Sequence, residues 1–363
     1  MLILIYLNIV YGGIMDIETL RSEIYRFNED ELFYQKYYYA RQQQYSLDEF
    51  LSKLDMADVL RRNLLILEKK ETIPLMFEDS FFFNPEENNA IVASKHNCFS
   101  PPLSHEHTFF ELAYVYDGTC KQTICEQYLE LVTGDLIIIP PGIRHTISVF
   151  DNSVILNCLI KKSTLHNIFF SFLNKPNILS AFFLNNIYSE NGNSYVIFHT
   201  GSDADIRQRF LYIYWEYINK CMYYDQMMNN TLLIIFGLLI RNYEKSAELP
   251  TFTQKTDVQR FALLQYIQEN FSSITLEKVA ERFHYTPEYT SQLIRKTTGQ
   301  TFTDILQKIR TEKAQVLLQD TNLSVTNIAQ QVGYENVEHF IRIFKKKLHM
   351  TPTEYRKIGY RQI

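Results

Sequence analysis

The spacing of hydrophobic and polar positions changes several times along this chain of 363 residues. Within Glu18–Lys70, rich in Glu, Arg, Gln and Leu, apolar residues recur at helical spacing, as in Leu54, Val59, Leu60, Leu64 and Leu67. That period predicts a helical N-terminal extension over 15–70. From Ala90 to Ile160 the texture shifts to the runs IVAS, FFELAYVY, YLELV, DLIIIP, HTISVF and VILNCLI, separated by Gly, Pro, Asp and Asn. Short strands so spaced predict an antiparallel barrel or sandwich, bounded here as 71–165. Helical spacing returns in Ser163–Phe183 and Asp205–Glu244, with Phe210, Tyr212, Tyr214, Trp215 and Tyr217. This region, 166–246, is expected to cover the barrel or to pair two subunits. Its apolar run Thr231–Ile240 is too short to span a bilayer and reads as a buried helix. Polar residues and a proline in Ala247–Thr256 predict a linker over 247–256. The opening Met1–Ile14 is apolar, carries no Lys or Arg and is also too short for a span. Gly12-Gly13 read as codons of a ribosome-binding sequence, so 1–14 is expected to be a translated leader before a natural start at Met15.

Beyond the linker two stretches repeat with an offset of 49 to 50 residues, LEKVAERFHYTPEYTSQLIRK at Leu276–Lys296 and VTNIAQQVGYENVEHFIRIFKK at Val325–Lys346. Each predicts a short helix, a tight turn and a second helix. Val279 and Ile328, Ala280 and Ala329, Tyr285 and Tyr334, and Ile294 and Phe344 fall at equivalent apolar positions. Thr286 and Asn336 are suited to cap the second helices. A small Ala lets the two helices approach closely, the grammar of a helix-turn-helix. Between the repeats, Gln300–Leu318 carries apolar residues at Phe302, Ile305, Leu306, Ile309, Val316 and Leu317, which predicts one long amphipathic helix. At about 1.5 Å per residue it spans somewhat under 30 Å. With the packing of each motif, that could set two reading helices about 34 Å apart, one turn of DNA.

Charge sharpens this division. The whole chain carries a net −5, yet residues 251–363 hold 16 Lys+Arg against 11 Asp+Glu, a net +5, so the first 250 hold 20 against 30, a net −10. An acidic body with a basic C-terminal module suggests a polyanionic partner for that module alone. With 46% hydrophobic and 21% charged residues the chain is neither disordered nor fibrous. Five cysteines without a CxxC pair fit a reducing cytoplasm. Cys120-x4-Cys125 reads as packed side chains in preference to a redox pair.

The C-terminal pattern, covering Asp257–Ile358 and most specific in FIRIFKKKLHMTPTEYRK, resembles the AraC-type bacterial transcription regulators, whose DNA-binding domain is two helix-turn-helix motifs joined by a helix. Where that family usually has glycine, this chain has His284 and His349, and histidine tolerates left-handed backbone better than most residues. Carried over by position, the resemblance implies that Thr286, Glu288, Ser291, Gln292 and Arg295 face DNA from the first reading helix. Asn336, Glu338, Ile341, Arg342 and Lys345 would do so from the second. Gln suits adenine, Arg guanine, Glu cytosine and Ile the thymine methyl. Lys296, Lys346, Lys347, Arg356 and Lys357 are assigned to phosphates.

The barrel region contains His105-x-His107-x3-Glu111-x6-Gly118 followed by Gly134-x5-Pro140-x-Gly142-x2-His145. Both spacings resemble the two motifs of the cupin barrel, which implies that His105, His107, Glu111 and His145 converge inside it. The implied fold is multidomain α+β, an N-terminal cupin-like β-barrel with flanking helices and a C-terminal all-α domain, 257–363, of two helix-turn-helix motifs. Three imidazoles and a carboxylate can hold Zn, Mn, Fe, Ni or Cu. In regulators of this kind the same pocket more commonly binds an organic effector, and both readings stand. Phe109, Phe110, Tyr114 and Tyr116 flank the motif, and aromatic faces suit sugar rings or aromatic acids. The resemblance implies a non-enzymatic, ligand-responsive transcription regulator, commonly an activator acting through RNA polymerase. Its expected partners are double-stranded DNA, a small-molecule effector and a second copy of the chain, with no membrane. A metal-dependent cupin enzyme carrying a DNA-binding module, and a constitutive DNA binder with the barrel as dimer scaffold, are the alternatives.

Overall fold

The computed structural model describes residues 16–360 apart from 75, 85–88, 163, 166–176, 189–194 and 250–254. The expected leader, much of Ser163–Phe183 and the middle of the 247–256 linker lie outside the described residues. These residues divide into two compact units, one within Met1–Phe170 and Asn193–Thr251, the other within Ser171–Gly192 and Phe252–Ile363.

The first unit is built on β1 (Ile91–Lys95), β2 (Phe110–Asp117), β3 (Thr119–Ile124), β4 (Gln127–Val132), β5 (Asp135–Ile139), β6 (His145–Ser148), β7 (Val154–Ile160) and β8 (Val196–His199). They form a five-stranded sheet ordered β1-β7-β2-β5-β8 and a three-stranded sheet ordered β4-β3-β6. Ala113, Val115, Ile137 and Ile155 of the first share one core with Cys120, Ile124, Leu131 and Ile147 of the second, so the inner faces enclose a common interior. Gly118 permits this closure. At φ 83° a Cβ there would fall 2.1 Å from Ser153 Oγ, and only glycine avoids the collision.

Two strands lie where the hydrophobic pattern gave none. Thr119–Ile124 alternates buried and exposed residues but carries Lys121, Gln122 and two threonines, which mask it as a turn. Val196–His199, inside the region expected to be helical, pairs antiparallel with β5 from Asp135 to Ile138. Four residues are too few to establish a period of two.

The N-terminal helices Glu29–Arg41 and Met56–Arg61 are not an extension of the barrel. Tyr34, Tyr37, Val59, Leu64 and Ile66 are buried in the same core as the strand residues. Glu31, fully buried, accepts from the Asn28 and Cys98 amides and pairs with Lys95 of β1 at 2.9 Å. The helix Ala204–Asn219 lies on the opposite face of the larger sheet, where Phe210 stacks on Tyr114 with ring centroids 4.3 Å apart. Of the two readings of 205–244, packing on its own sheet is the observed one for this face. Beside it, the helix Tyr224–Leu238 buries Met228, Leu232, Ile235 and Phe236.

In the second unit, Lys255–Glu269 packs against Ile178–Tyr188, so this part of the 166–246 region belongs with the C-terminal helices. Leu276–Phe283 and Pro287–Thr298 form the first helix-turn-helix, Val325–Gln331 and Val337–Leu348 the second. Phe302–Asp320 joins them, opened by a capping box between Thr301 and Asp304, and Pro352–Tyr360 follows. The turns end as the sequence indicated. His284 and His349 adopt left-handed backbone, each at φ 58°, as helix C-caps.

Candidate functional site

Two places carry chemistry, one in each unit. In the first, the chain runs extended through His105 and His107 before entering β2. The His105 and His145 backbones exchange hydrogen bonds of 3.0 Å in both directions, which ties this segment to the start of β6. The next turn is fixed by the Gly142 amide donating to the His107 carbonyl at 2.9 Å. The result brings together all four residues of the two motifs. Ring centroids are 4.2 Å apart for His105 and His145 and 5.1 Å for His107 and His145. Glu111 Oε2 lies 3.3 Å from His107 Nε2 and 3.4 Å from His145 Nε2.

The orientation of each imidazole is set by backbone. His105 Nδ1 is 2.9 Å from the Leu103 carbonyl, His107 Nδ1 2.7 Å from that of Phe109, and His145 Nδ1 3.0 Å from that of Ile143. Carbonyls only accept, so each Nδ1 carries a proton, and the Nε2 atoms of His107 and His145 turn toward the Glu111 carboxylate. Donor atoms of His105, Glu111 and His145 all fall within 4.8 Å of one another, the set among the described residues that could hold a metal ion. Burial pulls His105 down to about 4, so it stays neutral near pH 7. Burial opposes charge on Glu111 too, but the facing His107 and His145 outweigh it and hold the carboxyl well below its ordinary range.

Around this cluster the walls are partly polar, which the sequence did not reveal. Asn157 opposes Ala113 in the register, next to the pair Glu111–Leu159, and residues so paired share a face. Gln122 opposes Ile147, next to the pair Ile124–His145. Asn157 Oδ1 and Gln122 Oε1 are buried without a hydrogen-bond partner. Of the flanking aromatics, Phe109 stacks on His107 at 4.5 Å, whereas Tyr114 is committed to Phe210 outside the interior. Phe77 edges onto His105 at 5.0 Å, a neighbour that spacing alone gave no means to find. Cys120 is buried, its thiol pushed up to about 12, while Cys125 sits exposed in the following turn.

In the second unit the two reading helices expose a mixed polar face. Glu288, Gln292, Arg295 and Lys296 are exposed on the first, with Ser291 half-buried. Glu338, Arg342, Lys345, Lys346 and Lys347 are exposed on the second. Other assigned side chains are committed elsewhere. Thr286 accepts from the Tyr289 amide and Asn336 from the His339 amide, both as N-caps. Ile341 is half-buried, with part of its side chain against the core of the second motif. Arg356, assigned to phosphate, donates instead to the Leu318 and Leu323 carbonyls and closes the end of the connecting helix. Tyr289 and His339, which the assignment passed over, are exposed on the same helices. A helix of 12 residues such as Val337–Leu348 fits a major groove, and this face offers guanidinium, amide and carboxylate groups to base edges.

Residues 279–358 match the family model of a helix-turn-helix domain, and 90–154 match that of an AraC-like ligand binding domain. The chain is 31% identical over 125 residues to the HTH-type transcriptional regulator YtdP of Bacillus subtilis, covering 32% of this chain but 16% of that protein. It is 22% identical over 289 residues to the HTH-type transcriptional activator RhaR of an Enterobacter species, covering 78% of this chain and 97% of that one. Among solved structures, the C-terminal domain of the two-component response regulator yesN from Fusobacterium nucleatum is 40% identical with a TM-score of 0.25, covering 26% of this chain and 95% of that one.

Proposed function

The chain belongs to the AraC-type family of transcription regulators, and we propose that it is a ligand-responsive, sequence-specific DNA-binding regulator. The observation that carries this is the pair of capped helix-turn-helix motifs, each with an exposed face of base-reading side chains, joined by the helix Phe302–Asp320. Gln292, Arg295 and Arg342 read bases, and Lys296, Lys345, Lys346 and Lys347 neutralise phosphates.

The barrel interior at His105, His107, Glu111 and His145 is the sensing site. The unpartnered oxygens of Asn157 and Gln122 accept hydrogen bonds, which supports a hydroxyl-bearing small molecule such as a sugar. Binding there shifts the population of states competent to bind or activate. A second copy of the chain is the partner for the surface around Met222, Tyr223, Met227 and Ile234, four large apolar residues left exposed beside and on the helix Tyr224–Leu238. Activation through RNA polymerase is the sign of regulation, in keeping with the activator RhaR. The chain acts in the cytoplasm, in keeping with the absence, among the described residues, of any helix long and apolar enough to cross a membrane.

The test is selection of duplex DNA from random sequence by the purified chain, then measurement of affinity against salt and against a panel of sugars and aromatic acids. The reading requires a preferred sequence, a linear loss of log affinity with log salt, and one compound that changes affinity. No preferred sequence would refute it, and turnover of a panel compound would move the function to a metal-dependent enzyme.

A further inference from the structure

We propose that Arg310 is a positioning residue for DNA recognition: from the connecting helix it pins the loop before the first motif to the turn of the second, and so fixes the separation at which the two reading helices meet a duplex. Such a pin presupposes the DNA-binding function proposed above and adds the device that keeps two segments of one duplex in register with one chain. The loop Asn270–Thr275 leads directly into the first motif, since Ile274 is buried and Thr275 caps the helix Leu276–Phe283. Two carbonyls of this loop accept from the connecting helix. Arg310 Nε donates to that of Phe271 at 2.9 Å and Nη2 to that of Ser272 at 3.2 Å. The same guanidinium lies over the ring of Tyr334, 5.2 Å from its centroid, in the turn that precedes the second reading helix. The Phe271 side chain reinforces the junction by packing against the core of the second motif.

The two repeats differ at this junction. His284 and Gly333 occupy the same place in their turns, just before Tyr285 and Tyr334, and both adopt left-handed backbone, at φ 58° and 88°. At 284 a side chain is accommodated and stays exposed. At 333 a Cβ would fall 2.1 Å from the Ser272 carbonyl oxygen and 2.8 Å from Arg310 Nη2, so the loop of the first half comes as close as only glycine permits. The need for glycine there arises from the junction and not from the turn. Arg310 is suited to hold that approach, because its planar fork serves two neighbouring carbonyls while its face covers an aromatic ring, a combination the lysine ammonium does not reproduce. Asn336, which caps the second reading helix, follows Gly333 closely in the chain, so a shift at the junction reaches that helix with little slack. A base pair inserted between two read segments moves one of them by about 3.4 Å along the duplex and about a tenth of a turn around it. A pinned pair of helices cannot follow that change, whereas a hinged pair can.

The test uses the full chain and the duplex it selects from random sequence. Loss of base preference in Gln292→Ala and in Arg342→Ala marks the segment that each helix reads, and duplexes are then made with base pairs inserted or removed between the segments. The parent should lose about 10-fold or more in affinity for a change of one base pair, since contacts to at least one segment are withdrawn. Arg310→Lys keeps the charge but not the fork, and Arg310→Met keeps only the stem. In both, with circular dichroism to confirm folding, that penalty should shrink to about 3-fold or less while base preference within each segment is retained. Arg310→Lys, the milder change, decides the matter where Arg310→Met does not fold. Gly333→Ala, which forces the junction apart without altering Arg310, should flatten the penalty in the same way. Arg356→Ala is the comparison: it loosens the second motif alone, through the Leu318 and Leu323 carbonyls, and should weaken binding at every spacing in parallel. A folded Arg310 variant whose spacing penalty equals the parent's overturns the proposal even if its affinity is lower, because a purely structural role gives that result. A parent that reads sequence yet accepts every spacing equally overturns it too and leaves the DNA-binding function standing. A parent with no preferred sequence overturns both.

Discussion

Replacing Glu31 with glutamine tests whether the N-terminal helices belong to the barrel fold. Glu31 is fully buried and Lys95 is 6% exposed, their charged atoms 2.9 Å apart. Removing one member of such a pair strands the other charge and costs about 3–5 kcal/mol. Lys95 keeps the Arg26 carbonyl at 3.3 Å and the face of Phe27 at 5.9 Å, which places the expected loss near the lower bound, about 3 kcal/mol. The assay is urea unfolding followed by tryptophan fluorescence, because the single tryptophan, Trp215, lies in the helix Ala204–Asn219 that packs on the larger sheet. It therefore reports the first unit without the second. Adding Lys95→Met removes the stranded ammonium and should recover at least about 2 kcal/mol. A loss below about 1 kcal/mol, or no recovery in the double variant, would refute the buried-pair reasoning and make the N-terminal helices an appendage.

Arg342→Ala should weaken binding to a selected duplex by about 1–3 kcal/mol and relax preference at one position, whereas Lys346→Ala should weaken all sequences alike and reduce the salt slope by about 1. Competition with random duplex over a salt series separates the two. Arg356→Ala should destabilise the second unit by about 1–3 kcal/mol, through the Leu318 and Leu323 carbonyls it leaves unpaired, with little change in base preference; calorimetric melting checks this. Burial lowers His199, but the carboxylates of Asp135 and Glu248 outweigh it and raise the imidazole above its ordinary value. Its contribution is therefore complete below the unfolded value near pH 6.5 and fades as pH rises through the folded one. At 42% side-chain exposure it amounts to less than about 1 kcal/mol, seen as a flatter stability-against-pH curve in H199Q.

The exposed faces of the reading helices were legible because helical period, capping residues and turn residues are all local, and two copies of one pattern reinforce each other. The contacts of Arg356 and Ile341 within the fold were not legible for the complementary reason. A basic or apolar residue on a helix has the same spacing whether it meets DNA or its own fold, and the decision rests with residues 38 and 33 positions away in the case of Arg356. In the barrel, the resemblance of the two motifs to those of the cupin fold implied that His105, His107, Glu111 and His145 meet, while a strand's period of two accounted only for His105 and His107 sharing a face. Asn157, Gln122 and Phe77 carry no such spacing, and only strand register and the Phe77 bridge to His107 bring them near.

By itself, then, the order of residues determined the two kinds of unit and the helix boundaries and turns of the C-terminal repeat, and through its resemblance to the cupin motifs it pointed to the four-residue cluster of the barrel. The tertiary structure decided what each amphipathic face is buried against. The N-terminal helices fill the barrel core, Ala204–Asn219 lies on its outer face, and Ile178–Tyr188 joins the C-terminal helices. Periodicity records that a face must be buried but not which surface buries it, because burial depends on apolar area and is indifferent to the identity of the partner that supplies it.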